Sequence, residues 1–196
     1  ALKQSGVIRA QGLDDFFDWA KAFEYLPPLR QNRIAVATRS GGEGVITTDF
    51  CELNGLRMAE FCPETRTKLR TIFPPWDIPF NPLDTGVCGQ FNESVDVDSV
   101  YLNIIADDPN VDCVAMPIDS RLVELSVQSQ FLTASTELIK KGKSLATWAT
   151  DPAGSQEDIE RFELNRIPVY SSGERTIKAL ATLYRYQTLC GQLRTE

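Results

Sequence analysis

The residues best placed to do chemistry are Ser40-Gly41-Gly42-Glu43-Gly44. They follow the apolar, β-branched run Ile34-Ala35-Val36-Ala37-Thr38 and precede Val45, Ile46, Asp49, Phe50 and Leu53 at helical spacing. Strand, glycine turn and helix in that order leave free backbone N–H groups aimed at one spot, at the positive end of a helix dipole. Such a spot takes a phosphate or a carboxylate. Three glycines allow close approach to an anion and positive φ where a turn needs it. The turn is not a Walker loop, because no Lys-Ser/Thr pair follows Gly44, and its spacing is not G-x-G-x-x-G. These residues alone leave a purely structural turn open as the alternative.

The chain contains no histidine. Ser-His-Asp and Cys-His triads, His-ligated metals and phosphohistidine therefore cannot be completed by it alone. The five cysteines are scattered with no C-x-x-C pair, which predicts neither a zinc site nor a disulfide framework and fits a reducing, cytoplasmic setting. No carboxylate pair has a spacing that demands acid–base work, and no metal site is expected. A net charge of −7 speaks against nucleic acid or an anionic membrane as partner. No apolar run approaches the ~20 residues that span a bilayer, and no signal peptide is visible. A start at Ala1 suggests a piece of a longer polypeptide, with processing or cloning as alternatives.

The elements that must position the turn can be read in order. Residues 12–25 form an amphipathic helix with Leu13, Phe16, Phe17, Ala20 and Phe23 on its apolar side, ending before Pro27-Pro28. Strands are expected at 34–38, 56–61, 111–117, 144–150 and 167–170. Helices are expected from the glycine turn to Asn54, from Pro63 past Leu69 and Ile72, and over 98–107, 122–141, 157–165 and 174–193. Gly55 and Gly142 serve as helix stops. Residues 73–89 carry four prolines and read as one long non-helical loop. The pattern predicts an α/β, flavodoxin-like fold: an open, mainly parallel five-stranded sheet of order 2-1-3-4-5 with helices on both faces. Ligands of such sheets sit at the carboxyl ends of the strands, where residues 40–44, 81–84 and 117–120 would converge.

Several stretches resemble one family, the NDP-forming acyl-CoA synthetases, relatives of succinyl-CoA synthetase. They are Gly6-Val7-Ile8-Arg9, the N-R-I-A-V-A-T-x-S-G-G-x-G turn from Asn32 to Gly44, Asp49, Cys62-Pro63-Glu64-Thr65 and Asn81-Pro82-Leu83-Asp84. Further on come Asp107-Asp108-Pro109 with Val111-Asp112, and Ile167-Pro168-Val169-Tyr170 with Glu174-Arg175. The resemblance implies that 32–196 is the flavodoxin-like CoA-ligase domain and that 1–31 is a helix and linker from a preceding domain. It implies interconversion of acyl-CoA, phosphate and ADP with acid, CoA and ATP through a phosphohistidine supplied by another domain, the isolated chain being inactive. Phosphate, CoA, ATP or ADP and Mg would be ligands of the complete enzyme, none bound by this domain alone. Its partners would be CoA-binding and phosphohistidine domains and an ATP-grasp domain or subunit, without nucleic acid or membrane.

On this reading Ser40, Gly41, Gly42 and Gly44 bind phosphate, and no catalytic residue lies on the chain. Arg39 either helps neutralise the anion or is a solvated arginine. Asp49 either hydrogen-bonds the loop or a partner, or is simply exposed. Asn81 and Asp84 shape the neighbouring loop through Asx-type turns. Asp119 and Ser120, at a strand end, are further contact candidates, and Trp76 a domain contact or a local packing residue. Asp96 and Asp98 read as solvated or helix-starting carboxylates. Glu43 stands where the family has a small or neutral residue, and would repel phosphate unless it faces solvent or pairs with Arg39. Two rival functions are a non-catalytic synthetase-like regulatory domain of a protein acetyltransferase and a free-standing flavodoxin-type FMN binder, the latter on Thr38-x-Ser40-Gly41.

Overall fold

A computed structural model describes residues 6–76, 80–91, 96–118, 125–151 and 156–193. In chain order the elements are α1 (Leu13–Tyr25), β1 (Arg33–Thr38), α2 (Gly41–Leu53), β2 (Arg57–Met58), α3 (Pro63–Leu69), β3 (Leu83–Asp84) and α4 (Thr85–Phe91). They continue with α5 (Val97–Ala106), β4 (Cys113–Ile118), α6 (Leu125–Lys140), β5 (Ser144–Ala149), α7 (Gln156–Leu164), β6 (Val169–Tyr170) and α8 (Gly173–Leu193).

The sheet is parallel in every pairing and runs β2-β1-β4-β5-β6. Its central strands β4 and β5 are buried along their whole length, as strands covered on both faces must be. On β1, Ile34 and Val36 face a layer made by α1, α2 and α8, with Ala22, Cys51, Ile177 and Leu180. Ala35 and Ala37 face the opposite layer, with Leu69, Cys88, Leu102, Phe131 and Phe162 from α3 to α7. This alternation is the two-residue period of a strand. The expected order 2-1-3-4-5 is thus present. A sixth short strand, β3, pairs Leu83 and Asp84 with Ala37 and Thr38, further along the same edge of β1 that β2 occupies.

Local signals end and begin the helices. Gly55 and Gly142 adopt φ of +79° and +80° just past α2 and α6, conformations that any side chain would strain. Pro63 stands in the first turn of α3, and Asp96 caps α5 by accepting from the Ser99 N–H.

Three expectations are corrected. The stretch 73–89 is not a loop throughout, since β3 and α4 lie within or across it. No proline follows Pro82 there, and the Asp84 carboxylate starts the helix by accepting from the Gly86 N–H at 3.0 Å. The strand expected over 56–61 pairs with β1 only at Arg57 and Met58, because the Asn81 side chain takes over the edge beyond them. Finally, α1 turns the other way round. Asp18 and Ala22 are its buried residues, while Leu13, Phe16 and Phe17 are 75%, 59% and 62% exposed. The cause is electrostatic: Arg175 of α8 donates to both oxygens of Asp18, at 2.6 and 2.9 Å, and so fixes which face of α1 looks inward.

Candidate functional site

The chain leaves β1 at Thr38 and enters α2 at Gly41. Ser40, in extended conformation, is the N-cap, and its Oγ accepts from the Glu43 N–H at 3.3 Å. Its carbonyl accepts from the Gly44 N–H at 3.1 Å and from the Thr38 hydroxyl at 3.0 Å. Gly41 and Gly42 are exposed, and their N–H groups meet no acceptor among the described residues. Together with the Ser40 hydroxyl, they form a small donor set at the positive end of a 13-residue helix.

The glycines act through the space they leave. None of the three needs positive φ, because the helix already begins at Gly41. A Cβ on Gly44 would lie 3.2 Å from Pro82 and 3.3 Å from the Thr38 hydroxyl, so Gly44 lets α2 close on the second segment. A Cβ on Gly41 would lie 3.8 Å from the Asp84 carboxylate, and one on Gly42 would meet nothing. The segments 40–44 and 81–84 therefore converge. Of the third, Pro117 and Ile118 end β4, and Asp119 and Ser120 lie outside the described residues.

Glu43 is half-buried, and both of its carboxylate oxygens are engaged. One of its carboxylate oxygens accepts from the Arg39 backbone N–H and the other from the Trp148 indole N–H, both at 3.0 Å. It closes the turn much as the glutamate of a capping box does.

The Arg39 guanidinium points the other way. It donates to both oxygens of Asp98, at 2.8 and 2.5 Å, and to the Thr85 hydroxyl at 2.8 Å. With its side chain 17% exposed, it is held by these partners rather than solvated. Asp98, read as solvated or helix-starting, stands in the first turn of α5 and is buried there. Thr85 in turn donates to the Thr38 carbonyl at 2.9 Å. Gly86 completes this clamp, since a Cβ there would stand 2.2 Å from the Arg39 carbonyl oxygen.

The remaining candidates have structural surroundings. Asn81 spans the gap between β2 and β3: its side-chain oxygen accepts from the Val36 N–H at 2.9 Å, and its NH₂ donates to the carbonyls of Ile34 and Ala59 at 2.7 and 3.1 Å. Asp84 makes the Asx turn to Gly86. Asp49 is exposed on α2. Trp76 packs edge-on against Phe91 yet stays 77% exposed. Thr85, Gly86, Asp98 and Trp148 were not legible as neighbours of the turn, because each joins it from a remote part of the chain.

Between α2 and the start of α8 lies an open cleft of about 410 Å³, lined in part by Glu43, Ile46, Phe50, Ser172 and Glu174. Among the described residues no group of three His, Cys, Asp or Glu is placed to hold a metal, and no helix is long and apolar enough to cross a membrane. What the turn can do is hold an oxyanion by neutral hydrogen bonds, beside two carboxylates, Glu43 and Asp84.

No family model matches the chain. Among curated proteins it is 29% identical, over all its residues and 27% of the relative's length, to an acetate–CoA ligase [ADP-forming] I of Archaeoglobus fulgidus. It is 31% identical, over 95% of its own length and 39% of the relative's, to the alpha subunit of acetate–CoA ligase [ADP-forming] I of Pyrococcus furiosus. A solved Pyrococcus horikoshii protein superposes on 97% of the chain with a TM-score of 0.82 and 26% identity, the chain covering 43% of it. The fold also matches a dinucleotide-forming acetyl-coenzyme A synthetase of Ca. Korarchaeum cryptofilum, at a TM-score of 0.79 and 23% identity over 99% of the chain and 42% of that protein. The chain thus spans less than half the length of each of these proteins.

Proposed function

We propose that this chain, which belongs to the NDP-forming acyl-CoA synthetase family, serves as the flavodoxin-like CoA-ligase domain of a larger enzyme that interconverts acyl-CoA, phosphate and a nucleoside diphosphate with free acid, CoA and a nucleoside triphosphate. The relatives are named as ADP-forming acid–CoA ligases, and this chain accounts for 27% and 39% of the length of two of them. The absence of histidine requires that any phosphohistidine relay draw its imidazole from another domain. CoA-binding, phosphohistidine and ATP-grasp units are the partners this reading calls for, and Mg and nucleotide would be held there.

Within that enzyme the turn Ser40–Gly44 cradles a phosphoryl oxygen. One observation carries this: the N–H groups of Gly41 and Gly42 have no acceptor among the described residues, at the N-terminus of a helix starting at the carboxyl edge of the sheet. With Arg39 bound to Asp98, the stabilisation comes from hydrogen bonds and the helix dipole rather than a fixed cation. Glu43 and Asp84 set an acidic rim, so binding of free phosphate is expected to be weak.

A titration of backbone amides with inorganic phosphate tests the cradle. Saturable shifts centred on Gly41 and Gly42, abolished by replacing the Gly42 N–H with proline, support it. Shifts spread evenly over the surface, or unchanged in Gly42→Pro, sink it.

A further inference from the structure

We propose that the outer face of α1, formed by Leu13, Phe16 and Phe17, is the seat of another domain of the same polypeptide, one that presents an apolar patch with a basic rim. This rests on the reading of the chain as one domain of a larger enzyme.

The inward side of α1 is committed to its own domain. Asp18 is paired with Arg175, Lys21 donates to the Val169 carbonyl at 2.9 Å, and Ala22 lies in the core with Leu26 and Leu29 close behind the helix. The helix therefore cannot roll over to bury its three large outward side chains without breaking these contacts. Phe16 and Phe17 stack edge to face, with centroids 5.6 Å apart. With Leu13 they make a grouped apolar area on one short helix, of the kind that marks an interaction surface rather than scattered surface residues.

The occupant follows from charge and from length. Asp14 and Asp15 stand in the first turn of α1, where Asp14 stays 84% exposed although the Arg175 guanidinium lies 3.4 Å from it, and the chain carries a net charge of −7. A two-fold contact through this face would bring those acidic rims together, which disfavours a second copy. A partner with lysine or arginine around an apolar patch is favoured instead. The relatives supply candidates for it, since 73% and 61% of the length of two of them lies outside the matched region, the complements of 27% and 39%.

The test is hydroxyl-radical footprinting of the complete polypeptide that carries this chain, read at Leu13, Phe16 and Phe17 against Leu164, which is 84% exposed here. The expected result is several-fold protection of Phe16 and Phe17 relative to Leu164, unchanged on dilution, with Leu13 becoming reactive in Phe17→Glu. Labelling of Phe16 and Phe17 as readily as Leu164 overturns the proposal. So does protection that disappears on dilution together with a dimer-to-monomer change in sedimentation, which would assign the face to a second copy. Phosphate-dependent shifts at Gly41 and Gly42 in Phe17→Glu read the turn separately, so loss of one reading leaves the other standing.

Discussion

Asn81 and Val36 are joined by a 2.9 Å hydrogen bond in which a side-chain amide oxygen takes the place of a strand carbonyl. With its NH₂ on the Ile34 and Ala59 carbonyls, Asn81 acts as one missing peptide unit between β2 and β3. The edge of β1 is thereby satisfied along its length although neither flanking strand reaches across it.

Asn81→Ala should leave the Val36 N–H and the Ala59 carbonyl without these partners. At roughly 1–3 kcal/mol for each buried group left unpaired, a loss of about 2–4 kcal/mol is expected. Urea unfolding should show a lower midpoint with an unchanged slope. Asn81→Asp should fare no better, since a carboxylate brings no donor for the two carbonyls. A midpoint within error of the native protein would mean that water replaces the amide.

Gly86 and Gly42 should behave in opposite ways. A methyl group on Gly86 would collide with the Arg39 backbone at 2.2 Å, and no flexible side chain is available to yield. Gly86→Ala should cost about 1–3 kcal/mol, the usual range for overpacking, and disturb the amide spectrum of residues 38–44. Gly42 has open space and ordinary helical φ, so Gly42→Ala should be neutral or stabilising by up to about 1 kcal/mol. Equal effects at the two positions would show that the close approach at Gly86 is relieved by movement of α4.

The contrast shows what could be read in advance. Periodicity and glycine placement located the elements, both stops and the turn, and the right-handed crossover rule then ordered the strands, because these depend on residues close in sequence and on a general handedness. The environment of the turn was less accessible. Arg39 and Asp98 are 59 residues apart, with three helices and two short strands between them, and nothing in either local sequence says that they meet. Glu43 was legible as a departure from the family pattern, but not as the acceptor of the Trp148 indole. On α1 the apolar period was correct and its direction was not, since an Asp18–Arg175 pair, invisible to hydropathy, chose the buried side.

Asp98→Asn should remove the carboxylate charge that the Arg39 guanidinium faces in α5 while preserving shape. Their side chains are 9% and 17% exposed, so the pair is largely desolvated, and breaking it should cost about 3 kcal/mol. If the turn binds phosphate, the released cation should also strengthen that binding while stability falls. Opposite movement of the two readouts, unfolding midpoint and phosphate shift at Gly41, is the signature to look for. A fall in both would mean that Arg39 holds the cradle in shape and cannot act on the anion.

The cysteines offer a check on packing that does not depend on function. Cys51, Cys88 and Cys113 are buried, whereas Cys62 and Cys190 are half-buried. Burial pushes the Cys51 thiol up to about 12 and that of Cys113 well above its ordinary value. The thiolate is the reactive form, so raising the pH from 7 to 9 should leave Cys51 and Cys113 protonated and inert in the folded protein. Native protein treated with iodoacetamide at pH 8 should therefore gain two labels quickly, at Cys62 and Cys190, and five in urea. The slow labelling of the other three should track global unfolding, with the Asn81→Ala protein gaining them sooner. Fast modification of Cys51 or Cys113 in folded protein would show that α2 separates from the sheet far more readily than its packing against β1 and α8 implies.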